Sequence, residues 1–127
     1  MIYPPDTWRW YGVPGHLIVA RHCRFRLATE VGPWLVSTVG MYDPPKEVRE
    51  IMRDPDGWVR LGAGPRLYET MVFRAGLDRC ATETCACGMP THDGLELDMR
   101  GYQTASEAQA GHMEMCRRWA ANAREDA

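Results

Sequence analysis

The chain has 127 residues, of which 45% are hydrophobic and 25% charged, and its formal net charge is −2 at pH 7. This length and composition are typical of one globular domain, which we take to span 1–127. The slight acidity excludes a general electrostatic attraction to nucleic acid or to acidic membranes. The first residues lack the pattern of a signal peptide, and no apolar stretch is long enough to span a bilayer. We therefore expect a cytoplasmic protein that does not bind membranes.

The first fifteen residues are rich in aromatic residues, proline and glycine, and they predict an irregular arm over 1–15. Two uses of this arm are open. Its aromatic residues Trp8, Trp10 and Tyr11 pack on the core of the domain, or they form an exposed patch that binds a partner. We therefore take Trp8 and Trp10 as candidate partner-binding residues.

Residues 16–76 predict a mainly β region. Strand signals come from the alternating run "CRFRLA", from the β-branched and aromatic run at 34–42, and from "YETMVFRAG" at 68–76. A turn is expected at 29–33, and the proline-led segment "DPPKEVREIM" at 43–52 predicts a short helix. Together these segments predict a small antiparallel meander with one short helix in the middle of the chain.

Charged and titratable residues of this region suggest two kinds of site. The run "CRFRLA" places Arg24 and Arg26 on one face of a strand, where two guanidinium groups can bind a partner or a small anion such as a nucleotide, or can simply be solvated. The alternative is a small enzyme with a polar site formed by His16, His22 and Glu69. Glu69 can equally serve as the ion-pair partner of an arginine.

Residues 77–103 predict a Cys-rich loop region, because they contain three of the five cysteines of the chain. Three thiolates can bind one zinc ion, which takes four tetrahedral ligands, and a residue of the C-terminal helix, Cys116 or alternatively His112, would be the fourth. Unliganded buried thiols are the alternative, and a disulfide is disfavoured in a reducing compartment. The catalytic-zinc motifs His-Glu-x-x-His and His-x-Glu with Pro-Cys-x-x-Cys are absent, which favours a structural zinc. The three loop ligands would be Cys80, Cys85 and Cys87.

Residues 104–124 predict a long amphipathic helix. Thr104 and Glu107 have the spacing of a capping box at its start. Its basic residues number only three within an acidic last third of the chain, which argues against direct DNA binding. The residues that recur at helical spacing, and that we expect on the buried stripe, are Ala105, Ala108, His112, Met115, Cys116, Trp119 and Ala123.

Several of these segments together resemble a group of small proteins of double-stranded DNA bacteriophages and prophages. The resemblance rests on "WYGVPGHLIVARHCRFRLATEVGPWLVSTVG", "YETMVFRAG", "CxCGMP", "GLELDMRGY" and "GHMEMCRRWA". It covers the chain from about Trp10 to Trp119. It implies a phage product that acts in the cytoplasm of the bacterial host, with an accessory role, and it carries over no catalytic residue.

The sequence as a whole predicts an α+β fold, with a small antiparallel sheet and a long C-terminal helix packed on it. The leading functional hypothesis is a non-enzymatic binding module with a structural zinc ion, which acts on a host or defence protein. The alternatives are the small enzyme described above and a protein that binds a nucleotide or another small anion.

Overall fold

The computed structural model describes residues 2–11, 23–42, 67–80 and 88–122. After a 3-10 turn at Pro5–Thr7, these residues form five strands and one helix. The strands are β1 (Arg9–Trp10), β2 (Cys23–Val31), β3 (Trp34–Tyr42), β4 (Tyr68–Arg74) and β5 (Glu96–Tyr102), and the helix is α1 (Ala105–Ala120). The predicted α+β class, with an antiparallel sheet and a C-terminal helix, is confirmed.

The five strands form one antiparallel sheet in chain order, with β1 at one edge and β5 at the other. The β2–β3 hairpin turns at Gly32 and Pro33, and Val31 pairs with Trp34 on either side. Gly32 has a φ of 58°, a conformation that glycine adopts without strain and that tight hairpin turns require. The turn is therefore shorter than the predicted 29–33, because residues 29–31 continue β2.

Helix α1 packs lengthwise on one face of the sheet, which we call the helix face. Four residues advance a helix by about 6 Å and two residues advance a strand by about 6.7 Å, so successive buried helix positions meet successive strand pairs. Ala108 packs with Tyr68 and Tyr102 near the start of α1. Near its end, the rings of Trp119 and Trp34 meet edge to face at 5.0 Å. The main buried cluster of this face is Trp8, Val31, Trp34, Val36, Val72, Met115, Cys116, Trp119 and Ala120.

The start of α1 agrees with the predicted cap. The backbone N–H of Glu107 donates to the Thr104 hydroxyl at 3.1 Å, and that hydroxyl donates to the Glu107 carboxylate at 3.0 Å. The second bond differs from a standard capping box, in which the carboxylate accepts from the backbone of the cap residue. The buried stripe also differs slightly from the prediction, because Ala105 is exposed and Gly111 is buried.

The other side of the sheet, which we call the opposite face, carries a second cluster of Ala28, Leu35, Phe73 and Met89. The chain that follows β4 folds back to supply Met89. A β-bridge joins Arg79 to Pro90, and the N–H of Cys80 donates to the carbonyl of Met89 at 2.9 Å. The His92 ring stacks on Phe73 with 4.0 Å between centroids. The chain around Met89 and His92 therefore covers part of the opposite face.

The N-terminal arm is more regular than its sequence predicts, because it contains the 3-10 turn and strand β1. The N–H of Tyr3 donates to the carbonyl of Ala120 at 3.0 Å, and the indole N–H of Trp8 donates to the carbonyl of Tyr3 at 2.8 Å. These bonds join the arm to the end of α1, while β1 joins it to β2. The predicted irregular arm over 1–15 is thus corrected for residues 2–11.

The predicted short helix at 43–52 lies outside the described residues. The same is true of residues 81–87 in the Cys-rich region. Within the described ranges, no helix is long and apolar enough to cross a membrane.

Candidate functional site

Trp10 combines solvent exposure with a fixed position. Its side chain is 52% exposed. Its backbone pairs with Thr29 of β2, and its ring centroid lies 5.9 Å from that of Trp8 and 6.3 Å from that of His112. The strand pairing and the two tilted ring contacts together hold the indole against the edge of the helix face. We call the exposed side of this indole and the adjoining edge of β1 the Trp10 surface.

A cluster of polar side chains anchors the chain directly after Trp10. The hydroxyl of Tyr11 donates to Glu30 at 2.6 Å, and Arg79 donates to both oxygens of the same carboxylate at 2.6 and 3.1 Å. Burial raises the pKa of Glu30, but the bonds from Arg79 and Tyr11 outweigh it, so the pKa lies below its usual value. The Glu30 carboxylate therefore stays ionised and ties Tyr11 and Arg79 to β2.

Beneath the Trp10 surface, a chain of hydrogen bonds runs through the core between α1 and the sheet. The Tyr102 hydroxyl donates to Thr70 at 3.1 Å, and the hydroxyls of Thr70 and Thr38 lie 2.6 Å apart. Thr38 lies 2.7 Å from Nδ1 of His112, and Thr29 lies 2.8 Å from Nε2. If each hydroxyl donates once in this order, Nδ1 accepts from Thr38 and the Nε2–H donates to Thr29.

The groups at the end of this chain are held in their neutral forms. Burial lowers the pKa of His112 to about 4, because the imidazolium would lose its hydration in the core. Burial raises the pKa of the Cys116 thiol to about 12, although a hydrogen bond from Thr29 partly offsets this. Neutral His112 therefore joins α1 to β2 and β3 by hydrogen bonds, and its ring contacts that of Trp10.

The sequence does not reveal the partners of His112. Helical spacing correctly places His112 on the buried side of α1, but its hydrogen-bond partners Thr29 and Thr38 belong to two different strands. The sequence does contain one indication of a polar contact in the core. Three threonines, Thr29, Thr38 and Thr70, occupy strand positions that face the helix, where apolar residues are expected.

The structure separates two groups of predicted zinc ligands. Cys80 lies beside Met89, which packs on the opposite face of the sheet. Cys116 lies in the main cluster of the helix face, and both ring nitrogens of His112 are hydrogen bonded there. Cys80 therefore lies on the other side of the sheet from Cys116 and His112, and the structure does not bring it together with either of them. Cys85 and Cys87 lie outside the described residues.

No group of three or more His, Cys, Asp or Glu side chains that could hold a metal ion occurs among residues 2–11, 23–42, 67–80 and 88–122. This finding leaves out Cys85 and Cys87. Of the three predicted loop ligands, Cys80 alone lies within the described residues, and it is 8% exposed.

The remaining predicted site residues are dispersed. Trp8 is 6% exposed and belongs to the core, so its side chain is not available as a partner-binding surface. Arg26 alternates with Phe25 along β2 and lies on the opposite face, partly buried. Arg24 also belongs to β2, but only its backbone is described. Glu69 is a buried residue of β4, paired with Val39 and Gly101.

His16 and His22, the other two residues of the predicted enzymatic site, lie outside the described residues. An enzymatic site that combines them with Glu69 stays a prediction from the sequence.

The comparisons with known proteins add no family. No protein-family model matches the chain. No curated protein matches it, and no solved structure does.

Proposed function

We propose that this protein is a non-enzymatic binding module that binds a partner protein through the Trp10 surface. The observation that carries this proposal is an indole that is half exposed and yet held by strand pairing and by the rings of Trp8 and His112. A side chain ordered before binding loses little conformational entropy when a partner covers it. Tryptophan is also among the residues that contribute most to protein–protein affinity.

The chemistry of Trp10 defines what the partner offers. Its exposed ring surface suits an apolar pocket, and its indole N–H suits a hydrogen-bond acceptor at the rim of that pocket. The resemblance to small bacteriophage proteins supports a search among bacterial proteins, including those that defend the host against phages. We therefore propose a host or defence protein as the partner.

Affinity capture from a bacterial lysate, with quantitative mass spectrometry, tests this function. The baits are the wild-type protein, Trp10→Ala and Leu95→Ala. Leu95 is a suitable control because it is 62% exposed and precedes β5, at the other edge of the sheet. We expect at least one protein that the wild type and Leu95→Ala retain and that Trp10→Ala loses. Equal retention of every captured protein by Trp10→Ala would contradict the function.

We also propose a structural zinc ion in the Cys-rich region, held by Cys80, Cys85 and Cys87 together with a ligand from outside α1. Support comes from the ends of the loop: the N–H of Gly88 donates to the carbonyl of Cys80 at 3.1 Å. This bond brings Cys80 and Gly88, the two ends of the segment that contains the other two cysteines, next to each other. A closed loop with three thiols is a suitable start for a tetrahedral site.

A further inference from the structure

A cavity of about 330 Å³ opens between helix α1 and the edge strand β5. It lies at the other edge of the sheet from the Trp10 surface. Its volume is at the lower end of the range for sites that bind small molecules. We call it the β5 groove, and its lining residues are Arg100, Glu114, Met115, Arg117 and Arg118.

Two ion pairs involve arginines that line this groove, and both leave guanidinium donors unused. Nη1 of Arg100 donates to Glu114 at 2.8 Å, and Nη1 of Arg118 donates to Asp98 at 3.1 Å. Asp98 also accepts from the indole N–H of Trp119 at 3.0 Å. A guanidinium group has five N–H donors, so one bond to a carboxylate occupies only part of each fork.

Positive charge exceeds negative charge in the groove. Three guanidinium groups and one carboxylate, that of Glu114, line it, and Asp98 is an ion-pair partner of Arg118. In the described part of the chain, Arg117 is the member of this group that forms no ion pair. The Arg100–Glu114 pair is open to solvent, with side chains 47% and 60% exposed, and such pairs contribute little to stability. Arg100 can therefore exchange this carboxylate for another anion.

We propose that the β5 groove binds the phosphate group of a small phosphorylated molecule. The forks of Arg100, Arg117 and Arg118 can donate paired N–H groups to phosphate oxygens. A phosphate monoester has a charge close to −2 at neutral pH, which suits a site with excess positive charge better than a single carboxylate does. The aliphatic stems of these arginines provide an apolar surface for the organic part of the ligand.

Isothermal titration in a low-salt, phosphate-free buffer at pH 7.5 tests this site with three probes: adenosine monophosphate, inorganic phosphate and acetate. We expect saturable binding of adenosine monophosphate, weaker binding of inorganic phosphate because it has no organic part to pack on the arginine stems, and none of acetate. The site would be overturned if neither phosphate probe saturates, if acetate binds as tightly as phosphate, or if the ester binds no more tightly than inorganic phosphate.

Three variants locate the binding. Arg117→Ala should weaken the binding of adenosine monophosphate at least about tenfold, the usual effect of losing a hydrogen bond to a charged group. Glu114→Gln should strengthen it, because the carboxylate that competes for Arg100 is gone. Arg9→Ala removes an exposed arginine of β1 and should leave it unchanged. Binding that is the same in Arg117→Ala and Glu114→Gln as in the wild type would contradict a site in the β5 groove.

Discussion

At the scale of single residues, the burial of His112 makes the stability of the protein depend on pH. Its pKa is about 4 in the folded protein, compared with 6.5 for an unperturbed histidine. The unfolded chain therefore binds more protons than the folded chain between these two values, and stability falls as the pH falls through this range. The difference corresponds to roughly 3 kcal/mol at the acid end. Above pH 6.5 the contribution of His112 is fully retained.

Chemical denaturation between pH 7 and pH 4.5 measures this effect. We expect the free energy of unfolding to fall with pH in the wild type and to fall less steeply in His112→Gln, which has no titrating group at this position. The glutamine amide keeps a hydrogen-bond donor and an acceptor near Thr29 and Thr38. The variant therefore loses the titrating group but keeps a polar side chain at this position. Equal slopes in the two proteins would show that His112 is not buried in its neutral form.

At the scale of the elements, the fit of α1 on the sheet depends on a glycine. A β-carbon at Gly111 would overlap the ring of Tyr102. Glycine-to-alanine substitution in an exposed helix stabilises it by about 1 kcal/mol, but here the added methyl group is forced into a packed aromatic ring. We expect Gly111→Ala to lower the free energy of unfolding by about 1–3 kcal/mol. The measurement is urea denaturation followed by circular dichroism.

The matched control for Gly111→Ala uses a smaller residue at the contact. In a Tyr102→Leu background the same substitution should cost less, because the aliphatic side chain leaves room for the β-carbon. An increase in stability on Gly111→Ala in the wild-type background would contradict close packing of α1 against β5 at this point.

The elements also show how far sequence reasoning extends. Alternation in "CRFRLA" and the β-branched run before Tyr42 predict strands that the structure contains, because period-two patterns depend on local chain geometry. Strand β1 is missed because two residues are too few for any pattern, and its pairing with β2 is a long-range contact. Sequence spacing could not show that Cys80 lies on the other side of the sheet from Cys116 and His112 for a similar reason. Sequence spacing does not tell on which face of a sheet a loop will pack.

At the scale of the whole molecule, the proposed zinc ion makes a prediction about composition. Elemental analysis of the untagged protein, purified under reducing conditions, should give about one zinc per chain. Cys85→Ser should lose the metal and lower the stability of the domain, because binding of a structural metal contributes to the free energy of folding. The matched control is Cys23→Ser, which changes a buried cysteine of β2 and should retain the metal. A metal-free wild type with freely titrating thiols would contradict the site.

The Trp10 surface is the basis of the proposed function, and the affinity of a captured partner tests it most directly. The measurement is isothermal titration of the purified partner with the wild type, Trp10→Ala and Leu95→Ala, after circular dichroism has shown that all three are folded. If Trp10 is the main contact, Trp10→Ala weakens binding by at least about 2 kcal/mol, while Leu95→Ala binds like the wild type. The same affinity for all three proteins would contradict a binding surface centred on Trp10.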